Sequence, residues 1–481
     1  MTISSAGVGS GLDVASIISQ LMAVEKRPLT QMQTQASEVQ TRLSVYGVLQ
    51  SRLTSVGDLA QKLGDPLAWK RTTSSSSNEA AVSVSSTDAA AATSLQVEVS
   101  QLAQAQSVST AAFTSANAAV GTGTLHIELG SWSANFGAFT AKPSTTALDI
   151  EIGSGEQTLA GVRDKINAAN AGVTATILND ASGARLVLRS TDTGAVNGFR
   201  LTVDDLSDAS NTDGNGLSAL AFNPPVGTVT SGNQRGLNLT GLVNGAPVSS
   251  ASNTLADIVD GVTVTANTVT SGPVALSVKA DTENFKSQIQ QFVAAYNDTM
   301  KLMREQTQYN ADTKTAATLQ GDRVAVGLQN QLRSLVSAST TASTKFTRLS
   351  DIGLEQQRDG SLKINDTKLA AALKDLPELT KMMSNVDATN AANSGLARRF
   401  DALADSNTST DGALTTHQAG LKQRLERNQD EQDRFSDRLT AIEARLRAQY
   451  TALDTKMSQL NGLSTYMSQQ IAQWNKANSG S

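Results

Sequence analysis

Residues 421–474 read LKQRLERNQDEQDRFSDRLTAIEARLRAQYTALDTKMSQLNGLSTYMSQQIAQW, a stretch without proline in which apolar residues return every seven positions. This period is typical of a helix with a coiled-coil seam. One heptad row comprises Leu425, Gln432, Leu439, Leu446, Leu453, Leu460, Met467 and Trp474. The second row comprises Leu421, Asn428, Phe435 and Ile442, then slips by one residue to Tyr450, Met457, Ser464 and Ile471. The slip indicates a local change of phase in the seam.

The predicted helix is too long for a small domain. From Leu414 to Trp474 it would extend about 90 Å at ~1.5 Å per residue, against ~30 Å for a small domain. The alternative is a helix that packs entirely inside one globular domain. Gln432 and Asn428 place amides in an otherwise apolar seam, where such residues cost stability but fix register or oligomeric state. We therefore expect an assembly seam at Leu421, Leu425, Phe435, Leu439, Ile442, Leu446, Leu453, Leu460 and Met467.

The first 70 residues predict a second helical segment. Pro28 fits the first turn of a helix and would break a longer one, and Gly64-Asp65-Pro66 would end it. Gly7, Gly9 and Gly11 precede it and indicate a mobile leader. Apolar residues recur every three or four positions from Leu29 to Val56. The residues expected on the N-terminal leg are Leu12, Ile17, Leu21, Leu29, Met32, Val39 and Leu43.

Between about 71 and 280 the apolar period changes to two, which predicts half-buried strands joined by turns. Examples are LQVEV at 95–99, LHIEL at 125–129, LDIEI at 148–152 and VALSV at 274–278. One short helix is expected at about 158–170, with Leu159, Val162 and Ile166 on one face. Residues 72–280 hold 8 basic and 16 acidic residues, so this region should present an acidic surface.

Helices return after residue 281. One should begin near Asp281 or Thr282, both good capping residues, and others are expected near 316–338 and 366–385. The prediction is an α+β multidomain chain with helices at both ends and an inserted antiparallel β-rich head. In detail, we expect N-terminal leg helices at 1–70, a stem-proximal mixed domain from 71–112 with 281–411, a head of one or two subdomains at 113–280, and a C-terminal coiled-coil leg at 412–481.

Composition argues against several classes of protein. The formal net charge is −5 and basic residues are dispersed, so nucleic-acid binding is not expected. Cysteine is absent, which excludes disulfides, thiolate nucleophiles and zinc–thiolate sites. The first residues lack the pattern of a cleaved secretory signal, and no apolar run approaches the ~18 residues of a membrane span.

Catalytic and metal-binding patterns are weak. His126 and His417 are the histidines of the sequence, and we expect a strand surface residue and a solvated helix residue respectively. NTDGNG at 211–216 lacks the first and last ligands of a calcium loop, so a plain turn is expected. The acidic residues 204, 205 and 208 are interpreted as a solvated loop rather than a cation site. We expect no enzyme activity, no cofactor and no metal, because nothing supplies a nucleophile with a positioned base.

Several segments resemble the flagellar hook-associated protein 2 family, the filament caps. GVGSGLDVASIISQLMAVEKRPL at 7–29 resembles the family's N-terminal signature, and LNGLSTYMSQQIAQW at 460–474 resembles its terminal helix. SNTLADIVDGVTVT at 252–265 and the helix after it resemble the family's return from head to stem. TLAGVRDKINAANAGVTATILNDASGARLVLRSTDTG at 158–194 resembles a repeat shared by hook and filament axial proteins. A junction protein or a flagellin would share that repeat, but the two terminal segments fit the caps better.

The resemblance implies a structural protein at the distal tip of the bacterial flagellum. Members form a homo-oligomeric ring, taken as five subunits, that promotes folding and insertion of exported flagellin and prevents its loss. It further implies export by the flagellar type III apparatus, an export chaperone on the C-terminal helix, and contacts with flagellin and the hook-associated junction proteins. Adhesion to host mucin is an additional role for a tip protein. Insertion into a membrane is not implied.

Overall fold

A computed structural model of the chain describes residues 13–88, 90–224 and 232–478. Within these ranges the α-helices are α1 (Val14–Glu25), α2 (Arg27–Leu63), α3 (Leu159–Ala169), α4 (Thr282–Thr307), α5 (Arg323–Ser337), α6 (Asp366–Ala372), α7 (Leu376–Ser384), α8 (Leu396–Thr408) and α9 (Ala413–Asn478). The α+β class predicted from the sequence is confirmed, with helices at both ends and antiparallel sheets between them.

The strands alternate in burial as the period of two predicted. In the described residues they are β1 (Thr72–Ser76), β2 (Val82–Ser86), β3 (Thr93–Gln101), β4 (Ser107–Ser109), β5 (Gly123–Trp132), β6 (Phe139–Ala141), β7 (Leu148–Ile152), β8 (Val173–Asp180), β9 (Gly183–Ser190), β10 (Gly198–Asp205), β11 (Leu239–Val243), β12 (Ala246–Ser250), β13 (Thr254–Val259), β14 (Val262–Ala266), β15 (Val274–Ala280), β16 (Tyr309–Asn310), β17 (Thr315–Ala316), β18 (Leu354–Gln356) and β19 (Leu362–Ile364).

The described chain divides into two compact units. The helical unit joins the residues up to Trp69 with those from Thr282 onward, and the β-rich unit is Lys70–Asp281. Residues 71–112, which the sequence analysis grouped with 281–411, contribute β1 to β4 to the β-rich unit, because β1 and β3 both pair with β15. The four-part division at 1–70, 71–112 with 281–411, 113–280 and 412–481 stays a prediction.

Among the described residues, the β-rich unit contains two hydrophobic clusters. One lies between the five-stranded sheet β1-β15-β3-β11-β12 and the three-stranded sheet β13-β14-β2. The other joins the β10-β5-β6 sheet, with β7 also paired to β5, to the β4-β9-β8 sheet and helix α3. Helix α3 begins where Thr158 Oγ1 accepts a hydrogen bond from the Gly161 N–H and buries Leu159, Val162 and Ile166, as predicted.

In the helical unit, α2 packs against α4, α8 and α9. Pro28 lies in the first turn of α2, and Gly64 ends it. Helix α9 runs without interruption for 66 residues, through Gly420 and Gly462.

Two helix predictions after residue 307 need correction, and one helix was not predicted. The helix expected from 316 begins only at Arg323, because Asp322 caps it and Gly321 has a φ of +71°. The helix expected at 366–385 divides into α6 and α7, since Pro377 in the first turn of α7 cannot donate the hydrogen bond that would continue α6. Helix α8 was not predicted.

Candidate assembly surface

Helix α1 lies against the long helix α9. Asp13 caps α1 by accepting a hydrogen bond from the Ser16 N–H at 3.0 Å. Val14, Ile18 and Met22, spaced four residues apart and therefore on one face, are all buried. They form a cluster with Leu439 of α9. The partly buried residues around this cluster are Leu29, Phe435, Ile442, Leu446 and Tyr450. Helix α1 thus covers the α9 seam from Phe435 to Tyr450.

The start of α9 is held by a polar junction with α2 and the N-terminus of α5. The Tyr46 hydroxyl donates a hydrogen bond to Asp322 Oδ1 at 2.5 Å, and Tyr46 is fully buried. Asp322 also accepts hydrogen bonds from the backbone N–H groups of Val324 and Ala325. The His417 ring meets the Tyr46 ring edge-on at 4.7 Å, with Nε2 3.8 Å from Asp322 Oδ2. His417 is therefore not the solvated residue that we expected.

This junction has a definite charge state. Burial and the neighbouring Asp322 carboxylate raise the pKa of Tyr46 above its ordinary value, so its hydroxyl stays protonated and can donate. Burial opposes ionisation of Asp322, but hydrogen bonds from Tyr46 and from the Ala325 and Val324 backbone hold the pKa of Asp322 below its ordinary value. A buried hydroxyl thus faces a carboxylate, and three distant parts of the chain meet where α9 begins.

Beyond Tyr450 no described part of the chain covers the seam of α9. Leu453 is 45% exposed, Leu460 57%, Met467 55% and Trp474 73%. These residues continue the same heptad row that is buried at Leu439. Exposed apolar residues in a continuous row indicate a surface for another chain.

The structure places the predicted seam residues in three groups. Leu421 and Leu439 are buried, and Leu425, Phe435, Ile442 and Leu446 are half-buried. Leu453, Leu460 and Met467 are exposed. Gln432 is nearly buried and donates to the amide oxygen of Asn428, so the two predicted amides pair with each other.

For the predicted leg residues, Val39 is buried, Ile17, Leu29, Met32 and Leu43 are half-buried, and Leu21 is exposed. Leu12 lies outside the described residues.

Sequence reasoning missed Leu463 and Tyr466, each 57% exposed on α9. Two signals mark them. Residues 457–475 contain no Asp, Glu, Lys or Arg, unlike the charged stretch 422–447. At about 100° per residue, the apolar residues of this charge-free stretch also cover an arc of roughly 180°, wider than a two-helix seam. The apolar face of the charge-free stretch 457–475 is therefore broader than the contact surface of a single partner helix.

The described residues hold no group of three or more His, Asp or Glu side chains arranged to bind a metal ion. Asp205 is buried rather than solvated, because it accepts hydrogen bonds from the N–H groups of Ser207 and Ser218. It organises the 206–218 turn. In the ranges that the structure describes, no helix combines the length and the apolar character needed to cross a membrane.

Comparisons with known proteins point in one direction. Residues 10–106 match the family described as Flagellar hook-associated protein 2 N-terminus, and residues 240–462 match Flagellar hook-associated protein 2 C-terminus. Residues 139–192 match the Flagellin hook IN motif. The flagellar hook-associated protein 2 of Escherichia coli strain K12 is 32% identical over 98% of this chain and 98% of its own length. The B-type flagellar hook-associated protein 2 of Pseudomonas aeruginosa is 30% identical over 95% and 94%.

A solved structure agrees with the sequence relatives. The D1-D2-D3 domains of the flagellar cap protein FliD from Escherichia coli cover 79% of this chain and 99% of their own, with a TM-score of 0.58 and 27% identity.

Proposed function

Because the chain belongs to the flagellar hook-associated protein 2 family, we propose that it caps the distal end of the flagellar filament and engages the filament through the distal half of α9. The family consists of structural cap proteins of the flagellum rather than enzymes. Its members are exported and lie at the distal tip, where they promote elongation of the filament that drives motility.

The charge-free stretch 457–475 of α9 carries this proposal. Leu460, Leu463 and Met467 are each more than half exposed, and burying such side chains contributes about 25 cal/mol per Å² of apolar surface. Because this stretch has no charged side chain, burial of its apolar face does not require the desolvation of a charge. Such a helix suits a site where other helices pack against its apolar face, as at the helical end of a growing filament.

The part of α9 that α1 covers and the part beyond Tyr450 have different functions in this proposal. Packing of Ile18 and Met22 on Leu439 covers the proximal seam of α9 with helix α1. The distal stretch has no such cover from the described part of the chain, and because a helix without tertiary packing is marginal in water, its partner would stabilise it. Ordering on contact lowers the net affinity. A cap that moves forward as each flagellin inserts needs contacts that form and release repeatedly.

The same surface supports a second step of the proposal. Before export, the apolar row from Leu453 to Trp474 would be exposed in the cytoplasm, so we place an export chaperone on this helix. We further propose a ring of five subunits, contacts with flagellin and the hook-associated junction proteins, and adhesion of the β-rich unit to host mucin.

Deletion of the gene tests the capping function. We expect loss of swimming and release of monomeric flagellin into the medium, with both defects reversed by the full-length chain. Normal filaments without the protein would overturn the proposal. Exchanging residues 113–250 for those of a relative would separate adhesion from assembly, because only mucin binding should change.

A further inference from the structure

His126 lies between two carboxylates on the outward face of the β10-β5-β6 sheet. Its Nδ1 is 2.6 Å from Asp149 Oδ1 on β7, and its Nε2 is 3.1 Å from Asp204 Oδ2 on β10. Strand β7 pairs with one side of β5 and β10 with the other. One imidazole on the central strand therefore joins the strands on both sides of it.

This geometry needs a protonated ring. A neutral imidazole has one N–H donor and one acceptor nitrogen, whereas the imidazolium has two donors. With a carboxylate oxygen at each nitrogen, only the imidazolium can donate to both. In the neutral form one ring nitrogen would face a carboxylate lone pair to lone pair.

The surrounding charges favour the same state. The outward side chains of β5, β7 and β10 include four carboxylates, those of Glu128, Asp149, Glu151 and Asp204. The described cation on this face besides His126 is Arg200, which is already paired with Glu128 and lies over the Phe139 ring. Asp204 also accepts a hydrogen bond from the Asn211 amide, and strand β6 brings no charged side chain to the face. His126 thus provides the countercharge for Asp149 and Asp204.

We propose that protonated His126 links β7 and β10 to β5 through its two hydrogen bonds. This link makes the stability of the β-rich unit respond to the pH of the surrounding medium. This device is independent of the capping function. The ring is one-quarter exposed, so protons reach it directly from solvent. A protein that works outside the cell meets the pH of the medium without cytoplasmic buffering.

The direction of the response follows from linkage. Hydrogen bonding to Asp149 raises the pKa of His126, burial opposes this, and Asp204 adds to the increase. A group whose folded pKa is raised stabilises the fold fully below its unfolded pKa, about 6.5, and loses that contribution as the pH rises through the folded value. The β-rich unit should therefore be more stable in mildly acidic than in alkaline medium.

Histidine NMR on the full-length chain tests the link through His126 directly. The sequence has two histidines, so two ring signals are followed between about pH 5 and pH 9, with the His417→Gln variant identifying each. We expect His126 to titrate above 6.5, and Asp149→Asn and Asp204→Asn each to move its midpoint down. Titration of His126 at or below 6.5, or an unchanged midpoint in both variants, would overturn the proposal.

Thermal unfolding provides a second, independent reading. The melting temperature of the β-rich transition should exceed that of the His126→Gln variant near pH 5.5, and the gap should close by pH 9. His417→Gln serves as the matched control, and its melting temperature for the β-rich transition should equal that of the wild type at both pH values. If the wild type and His126→Gln differed in melting temperature by the same amount at both pH values, His126 would contribute packing without a proton-dependent link, and the proposal would be wrong.

Discussion

The Tyr46 hydroxyl and the Asp322 carboxylate, 276 residues apart in sequence, form a 2.5 Å hydrogen bond beside the first turns of α9. The same carboxylate caps α5. One buried pair therefore connects the N-terminal helix α2 with the C-terminal half of the chain. It lies where the long helix begins.

Removing the Tyr46 hydroxyl should destabilise the helical unit. Tyr46→Phe loses a charge-assisted hydrogen bond and leaves one Asp322 oxygen with fewer donors, so we expect a loss of about 1.5–3 kcal/mol in the free energy of unfolding. Urea unfolding measures this loss. Tyr309→Phe is the control, because Tyr309 is 53% exposed and its change should cost about 0.5 kcal/mol or less. Equal effects of the two substitutions would contradict the role of the Tyr46–Asp322 pair.

The same junction should weaken in acid. Because the folded pKa of Asp322 is lowered from 3.8, its contribution is fully present above 3.8 and is lost as the pH falls through the folded value. The stability difference between the wild type and Asp322→Asn should therefore be constant at neutral pH and shrink below about pH 4. Unfolding curves at several pH values measure it. A difference that grows on acidification would show that the pKa is raised instead.

The cover that α1 gives to α9 can be tested with two neighbouring residues. Ile18 is 5% exposed against the Leu439 cluster, whereas Leu21 is 40% exposed. Ile18→Ala should cost about 2–4 kcal/mol and raise hydrogen exchange in 435–450, because it leaves a cavity under α1. Leu21→Ala should change both by much less. A stronger effect of Leu21→Ala would place the other face of α1 against α9.

Some of these features follow from the sequence because the signals are local. The heptad rows predicted α9, Pro28 predicted the start of α2, and period-two runs such as 125–129 predicted the strands. Gly420 and Gly462 did not end α9, because helix formers on either side outweigh the cost of ~1 kcal/mol per glycine.

Other features depend on contacts that no local pattern records. Helix α1 is apolar at Ile17, Ile18, Leu21 and Met22, so the sequence permits two faces, and packing against α9 selects Val14, Ile18 and Met22. The Tyr46–Asp322 pair and the ring of His126 between Asp149 and Asp204 likewise arise from residues far apart in the chain. Leu463 and Tyr466 lie outside the heptad rows, so those rows did not predict them, and both are exposed.

The central claim is that the exposed apolar face of α9 engages the filament. It is tested most directly by complementing a gene deletion with Leu460→Asp/Met467→Asp. The control is Thr465→Asp/Ala472→Asp, which has the same spacing and charge on the opposite face of the helix. Immunoblots of the medium confirm export of each variant, and filament length and free flagellin are the measurements. The variants are compared at equal amounts of exported protein. We predict that the control then restores long filaments, while Leu460→Asp/Met467→Asp leaves flagellin in the medium. Normal filaments with Leu460→Asp/Met467→Asp would contradict the account.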